Sequence, residues 1–306
     1  MGILSRNYLV MNLYEQAQLA NRHKKSGKNK AVVKYMVRAL IHAAQFKRMS
    51  AYFHQGNRLK LFEKQPNFVT KCITPYLRDG FTKDQRVDIL INHYQWFEQV
   101  FTAQAQCAIY QDNVVLCELS IDEERYFVTL SFERNSRKEG ELTLSLCDEQ
   151  HNKYYVIAFT YIAGDFYIGC MQGGANDNGF SRKFTKAFYG LRPKSFMVET
   201  VQLLAQLLHI PHLYAVKNSG HIYNAKRYGK KAQTINLNYD QLWEEHDGEV
   251  YDEWFYQLPL ESKRRAMEDI KRPKRKMYRE RYEWLDGYKE QLAQSLEPLL
   301  NSSTVK

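Results

Sequence analysis

Apolar residues in the first third of the chain recur at a spacing close to that of a helix. They fall every three or four positions across 30–53 and again across 83–101, which predicts amphipathic helices in both segments. A turn at Asp79-Gly80 precedes Thr82, which we expect to cap the second of these helices. The first hundred or so residues are therefore predicted to form a helical region.

Further along, the spacing of apolar positions falls to two, the period of a half-buried strand. Turn residues such as Gly164-Asp165 separate the alternating runs, so consecutive runs should pair as an antiparallel meander. The predicted strands are Val114–Ser120, Tyr126–Glu133, Leu142–Cys147, Tyr154–Ile162 and Phe166–Met171.

The segment after the meander has the pattern of a crossover. Residues 195–208 are apolar on one face and should form a helix packed on the sheet, and 212–217 reads as another strand. This order places the strands 166–171 and 212–217 side by side and parallel in one sheet. The rest of the chain is aromatic and charged, with helical spacing across 263–300 that is interrupted at Pro273.

Together these patterns predict an α+β protein. An N-terminal helical region would comprise 1–105, a central, mostly antiparallel sheet with one βαβ crossover 106–235, and an aromatic and basic helical region 236–306. With 306 residues the chain can bury one large core, so we expect the three regions to form one compact unit.

The charge of the chain favours anionic partners. Its formal net charge is +10, and lysines and arginines concentrate in 22–30 and 263–281. In the second cluster they alternate with Tyr278 and Tyr282, a composition that suits nucleic acid or an anionic membrane surface. The alternative is that both tyrosines face the core, since together with Leu285 they follow helical spacing.

Composition argues against several other classes of protein. No run reaches the roughly 18 apolar residues that span a bilayer, and the N-terminus lacks the pattern of a secretory signal. Five cysteines without a Cys-x-x-Cys pair argue against a disulfide framework and a thiolate zinc site, and no other metal-ligand spacing is present. We expect a cytoplasmic protein without a metal, either free or peripheral to the inner membrane.

A candidate anion site precedes the predicted helix at 195. Arg192 and Lys194 flank Pro193, and the free N–H of Ser195 would lie beside them at the start of the helix. A phosphate there would meet a guanidinium, an ammonium and a backbone donor together. The alternative is that Pro193 simply begins the helix and both charges are solvated.

Two polar residues are candidates for catalysis. His221 follows a predicted strand, where a histidine can act as a general base, although a structural histidine would suit the same loop. Gln172 ends another strand beside Gly173, where its amide can orient a substrate carbonyl or satisfy loop backbone. Cys170 and His93 lie within apolar elements, so we expect both in the core.

Several of these motifs, in this order, resemble the VirK/YbjX family of bacterial proteins, and the resemblance spans nearly the whole chain. The motifs are His93-Tyr94, 168–173 (IGCMQG), 185–194 (TKAFYGLRPK), 215–218 (AVKN), Tyr239-Asp240 with Trp243, and 274–282 (KRKMYRERY). The resemblance implies a role in virulence, in tolerance of cationic antimicrobial peptides and hence in envelope integrity in Gram-negative bacteria. No established reaction comes with it.

The predicted architecture is also similar, at the level of fold, to GNAT-type acyltransferases. That similarity implies that 166–172 is the strand that binds pantetheine and that 190–195 is the turn that binds pyrophosphate. The turn departs from the usual pattern, because it has one glycine and a proline where the fold commonly has Gly-x-Gly/Ala. Fold analogy alone does not establish chemistry.

The resulting hypothesis is acyl transfer from a thioester donor, either acyl-CoA or an acylated acidic carrier protein. The residues in these roles would be Arg192, Lys194 and the Ser195 amide for the phosphate, Gln172 and Gly173 near the thioester, and His221 as the base. The competing hypothesis is a non-enzymatic basic protein that binds nucleic acid or phospholipid headgroups.

Overall fold

Helices form the N-terminal part of the structure, as the apolar spacing predicts. The computed structural model describes residues 11–174, 177–234 and 237–302. The helices before the sheet are α1 (Leu13–Ala20), α2 (Lys28–Ile41), α3 (Ala43–Phe53), α4 (Leu61–Lys64), α5 (Lys83–Val100) and α6 (Ala103–Gln111). Thr82 caps α5 as predicted, because its hydroxyl accepts from the Gln85 N–H while the Gln85 side chain accepts from the Thr82 N–H.

A mostly antiparallel sheet of eight strands follows these helices. The strands are β1 (Val114–Ile121), β2 (Glu124–Ser131), β3 (Leu142–Asp148), β4 (Lys153–Ile162), β5 (Asp165–Gly173), β6 (Leu213–Val216), β7 (Glu249–Val250) and β8 (Phe255–Leu258). Their order across the sheet is β1-β2-β3-β4-β5-β6-β8-β7. Every residue of Leu142–Cys147 in β3 is buried, so both faces of the sheet are covered at this strand.

Strands β5 and β6 are parallel neighbours, joined through two helices. Residues 166–168 of β5 pair with 213–215 of β6. The intervening helices are α7 (Phe180–Ala187) and α8 (Pro193–Leu207). The predicted helix and strand of this segment are therefore present, while the similarity of the unit to GNAT-type acyltransferases stays a prediction.

The C-terminal part of the chain contributes two strands that the apolar pattern does not predict. β8 pairs antiparallel with β6, and β7 pairs antiparallel with β8. The remaining helices are α9 (Tyr239–Glu244) and α10 (Arg275–Leu296), and α10 begins just after Pro273. Short 3₁₀ segments comprise Gly56–Lys60, Phe68–Ile73, Ile222–Asn224, Lys226–Thr234, Met267–Asp269, Arg272–Lys274 and Glu297–Leu299. Among the described helices, none is both long enough and apolar enough to cross a membrane.

Candidate functional site

The edge of β5 opens where its pairing with β6 stops. Pairing with β6 ends at Ile168, whereas β5 continues along β4 as far as Gly173. The hydroxyl of Tyr239 takes the place of the missing strand at Met171, donating to its C=O at 3.1 Å and accepting from its N–H at 3.3 Å. Backbone groups beyond Met171 therefore face a cleft rather than a strand.

Gly169 in β5 allows the buried loop that contains Glu139 to pack closely against the strand beside this cleft. A Cβ at Gly169 would overlap the backbone oxygen of Glu139, so a side chain at this position would displace the loop. The close approach places Glu139 under the end of β5, where the residue is only 1% exposed. A carboxylate buried to this extent needs polar partners.

Two predicted site residues supply partners for the Glu139 carboxylate. The Gln172 amide donates to its two oxygens, at 3.1 and 3.3 Å. The His221 ring lies on its other side, with Nε2 at 3.3 Å from Oε1. The structure thus brings Gln172 and His221 together around a carboxylate.

Backbone contacts fix the orientation of the His221 ring. The Tyr223 N–H donates to Nδ1 at 3.3 Å, so the neutral ring carries its proton on Nε2, towards Glu139. The ring also stacks on Tyr239, with centroids 5.2 Å apart. Nε2 is buried and forms no hydrogen bond with the described residues, so its close neighbour is the Glu139 carboxylate oxygen at 3.3 Å. His221 is therefore a buried residue with an ordered ring.

The two residues predicted to lie in the core do so. Cys170 is fully buried, and burial together with the nearby Glu139 charge raises its pKa well above the ordinary value, which keeps the thiol protonated. His93 accepts from the Tyr161 N–H at 3.1 Å, and its burial, assisted by the Lys71 charge, lowers its pKa to about 3. Neither residue lines the cleft.

The part of the cleft beside His221 is a cavity of about 460 Å³, which we call the inner chamber. Its lining includes Tyr155, Gln172, Gly173, Lys194, His221 and Tyr239. The predicted catalytic residues and Gly173 therefore share one space, with Lys194 at its margin.

A second cavity of about 820 Å³, the outer chamber, adjoins the first. Tyr155 and Lys194 line both chambers. The four cations of the outer chamber are Arg182, Lys186, Arg192 and Lys194. Within the described ranges none of the four forms an ion pair, whereas Lys183 next to Arg182 pairs with Glu124 at 2.9 Å. Unpaired cations around a concave surface favour an anionic ligand.

The start of α8 forms one wall of the outer chamber. Arg192 is the extended residue before the helix, and Pro193 is its first helical residue. The N–H of Ser195 belongs to the first turn, where backbone donors have no partner within the helix. Arg192 and Lys194 thus lie where the sequence predicts, while the Ser195 side chain is not part of the chamber lining.

Sequence reasoning missed Glu139 and half of the cation cluster. Glu139 falls in a stretch predicted only as a turn, and nothing local marks it as a partner of His221. Arg182 and Lys186 could have been predicted as neighbours from the sequence, because a spacing of four residues puts them on one face of a helix.

Some arginines of the basic C-terminal segment form hydrogen bonds to backbone carbonyls within the protein. Arg281 donates from Nε and Nη2 to the Tyr189 carbonyl, at 3.0 and 2.6 Å, and so holds the turn before α8. Arg275 donates to the Ile270 carbonyl at 2.9 Å. Of the three positions that could face the core by helical spacing, Leu285 is buried, whereas Tyr278 and Tyr282 are half-buried. These arginines are less free to bind nucleic acid than composition alone implies.

Comparisons with known proteins give a family but no reaction. The model of a family described as protein of unknown function (DUF535) matches residues 24–294. An uncharacterized protein of Escherichia coli K12, YbjX, is 28% identical over 85% of this chain and 82% of its own length. An uncharacterized protein of Haemophilus influenzae is 29% identical over 74% of this chain and 76% of its own length.

A further relative carries a name that refers to a membrane. The membrane protein LapB of Mannheimia haemolytica is 26% identical over 69% of this chain and 97% of its own length. No solved structure matches the chain. The arrangement of the cleft therefore has to be interpreted from its own chemistry.

Proposed function

The chain belongs to the DUF535 family, whose relatives include YbjX, and on that premise we propose that its cleft binds a phosphopantetheine thioester and transfers the acyl group. Coenzyme A and acyl carrier protein share this donor chemistry. The resemblance to VirK/YbjX proteins is confirmed by the same comparisons, whereas the reaction is our proposal.

The observation that carries the proposal is the junction of the two chambers. Lys194 is one of the four unpaired cations and lies between the other three and the buried pair of Glu139 and His221. A donor of this class is anionic at one end and reactive at the other. Its phosphates suit the outer chamber, and its thioester suits the inner chamber.

The open edge of β5 supports the same donor. The Met171 N–H and C=O bond to Tyr239, and the Gly174 N–H bonds back to β4 through Tyr154. Since successive residues of a strand alternate in direction, the N–H and C=O of Gly173 point to the cleft as those of Met171 do. An extended ligand with amide groups, as in pantetheine, could pair with them.

The proposed step needs only one proton relay. The nucleophilic oxygen or nitrogen of an acceptor attacks the thioester carbonyl, and the new bond to carbon forms as the carbon–sulfur bond breaks. Because Nδ1 of His221 accepts from the Tyr223 N–H and Nε2 carries the proton of the neutral ring, the Glu139 carboxylate takes the proton from the acceptor and returns it to the departing thiolate. His221 orients that carboxylate. Gln172, held by Glu139, orients the carbonyl.

An envelope component is the acceptor that best suits the wider setting. Acylation of such a component would add an acyl chain and tighten lipid packing, which would account for the peptide tolerance implied by the VirK/YbjX resemblance. The relative named as a membrane protein supports an acceptor at a membrane surface.

Thermal unfolding with a panel of donors tests the proposal. The panel comprises coenzyme A, short- and long-chain acyl-CoA, and acylated carrier protein. One class should raise the unfolding midpoint in proportion to its concentration, because a ligand that binds only the native state stabilises it. The double variant Arg192→Ala, Lys194→Ala should lose the rise.

A matched control separates the chamber from general charge. Lys183→Ala removes one positive charge from α7, but this lysine pairs with Glu124 and does not line the chamber. It should keep the ligand-induced rise. No rise with any donor would overturn the proposal and favour a non-enzymatic basic protein.

A further inference from the structure

One face of α2 exposes a stripe of aliphatic side chains to solvent. Val33, Val37, Leu40 and Ile41 are 59, 47, 68 and 68% exposed. Their spacing of four, three and one places them side by side on the helix. A run of large exposed aliphatic residues on one helix indicates a surface that contacts something else.

The rest of α2 makes the stripe a rigid surface. On the opposite face, Val32, Tyr35 and Ala39 are buried against the neighbouring helices. The Tyr35 ring packs edge to face on Phe46 of α3, with centroids 5.5 Å apart. The exposed face is therefore held in place by the fold.

Positive charge surrounds this stripe. The segment 16–62 contains eleven lysines and arginines and no aspartate or glutamate. Lys30 and Lys34 are exposed on the same side of α2 as the stripe. Lys28 at the start of α2 is exposed too, as are Lys24 and Lys25 just before the helix. The complementary partner is both apolar and anionic.

We propose that α2 docks the protein on an anionic phospholipid surface, with its aliphatic stripe between the acyl chains and its lysines among the headgroups. This docking face is separate from the cleft and does not rest on the proposed reaction. It has the pattern of interfacial helices, which combine one apolar face with a lysine-rich polar margin.

The residue types favour lipid over an acidic protein. Protein interfaces are depleted in lysine and enriched in aromatic residues and arginine. Here the five cations of 24–34 are all lysines, and the stripe contains no aromatic residue. Lysine ammonium groups suit diffuse attraction to headgroups, each worth about a threefold to fivefold gain in binding near an anionic surface.

Co-sedimentation with vesicles tests the docking face in the full-length protein. Parent protein should bind vesicles of phosphatidylcholine mixed with phosphatidylglycerol and bind phosphatidylcholine vesicles much more weakly. The triple variant Val37→Gln, Leu40→Gln, Ile41→Gln should weaken binding to the mixed vesicles at least about tenfold. The pair Lys30→Gln, Lys34→Gln should weaken it about tenfold.

Two controls keep the test specific. The double variant Val115→Thr, Val250→Thr removes two other exposed apolar side chains and should bind like the parent. Circular dichroism and the unfolding midpoint should be unchanged in the α2 variants, because the replaced side chains are exposed and glutamine favours helix.

Three outcomes would overturn the proposal. One is a parent that does not bind the mixed vesicles, and another is an α2 variant that binds them as the parent does. The third is a parent that is a dimer by light scattering while the triple variant is a monomer, because the stripe would then be covered by a second copy.

Discussion

The absence of a side chain at Gly169 allows the loop that carries the buried Glu139 carboxylate to pack against β5. Alanine at this position would put a Cβ into the backbone oxygen of Glu139, and rigid backbone cannot move aside cheaply. We expect Gly169→Ala to lower the free energy of unfolding by about 3 kcal/mol or more, and urea unfolding measures it.

A second glycine provides the control for that substitution. Gly287 lies in α10, and a Cβ there meets no other group within 4 Å. Gly287→Ala should therefore stabilise the protein by about 0.5–1 kcal/mol, because alanine favours helix. If both variants changed stability alike, close approach at Gly169 would not be the reason.

Two buried histidines make stability depend on pH. Burial lowers the pKa of His93 to about 3 and that of His54 to about 4, whereas an unfolded histidine titrates near about 6.5. Below that value the unfolded chain binds protons that the folded protein does not. The stabilisation is complete above about pH 6.5 and falls as pH is lowered towards about 4.

Urea unfolding between about pH 7.5 and pH 5 measures this loss, which can reach about 1.4 kcal/mol per pH unit for each histidine. His93→Gln should make the loss shallower, since the amide can still accept from the Tyr161 N–H but does not titrate. Replacement of the exposed His23 by Gln is the control. Equal slopes in parent and His93→Gln would contradict the explanation.

Single residues differ in how well the sequence predicts them. Cys170 and His93 were identifiable as core residues because their own elements are apolar. Glu139 was not, because its partners Gln172 and His221 reach it only through the folded sheet. Local pattern carries no information on such a contact.

At the scale of elements, the open edge of β5 depends on one hydroxyl. Tyr239→Phe would remove the group that bonds both the N–H and the C=O of Met171. Two buried backbone groups would lose their partner, so we expect the free energy of unfolding to fall by about 1–3 kcal/mol.

Chemical denaturation of Tyr239→Phe beside Tyr14→Phe measures the effect. Tyr14 is 52% exposed, so its hydroxyl can exchange to water without loss. A Tyr239→Phe variant as stable as the parent would mean that water replaces the hydroxyl at the edge of β5.

The sequence predicts the positions of long helices and strands better than those of short ones. The alternation of apolar residues predicts β1 to β5 to within a few residues, because each strand is long enough to show its period. β7 and β8 have two and four residues, and their pairing with each other and with β6 is what makes them strands. The helical spacing of 30–53 likewise does not reveal the break at His42, which lies between α2 and α3.

At the scale of the whole molecule, the cleft is assembled from parts far apart in the chain. Glu139 comes from a loop before β3, Gln172 from the end of β5 and His221 from a loop after β6. The four cations come from α7 and the start of α8. The sequence supplied Arg192, Lys194, Gln172, Gly173 and His221 as candidates, and the fold adds that they share adjoining chambers.

This assembly predicts that the two ends of a donor are recognised separately. Acyl-CoA carries the charged nucleotide end, and the matching acyl-pantetheine lacks it. Loss of Arg192 and Lys194 should therefore weaken acyl-CoA binding at least about tenfold, because each removes charge-assisted hydrogen bonds to phosphate. The same loss should leave acyl-pantetheine binding within about twofold.

Calorimetric titration of both ligands into the parent and the Arg192→Ala, Lys194→Ala variant is the most direct test of the two-chambered cleft. A large loss for acyl-CoA together with unchanged binding of acyl-pantetheine is the expected result. Equal losses for the two ligands, no loss for either, or no binding of acyl-CoA to the parent would contradict the assignment of the cleft to a thioester donor.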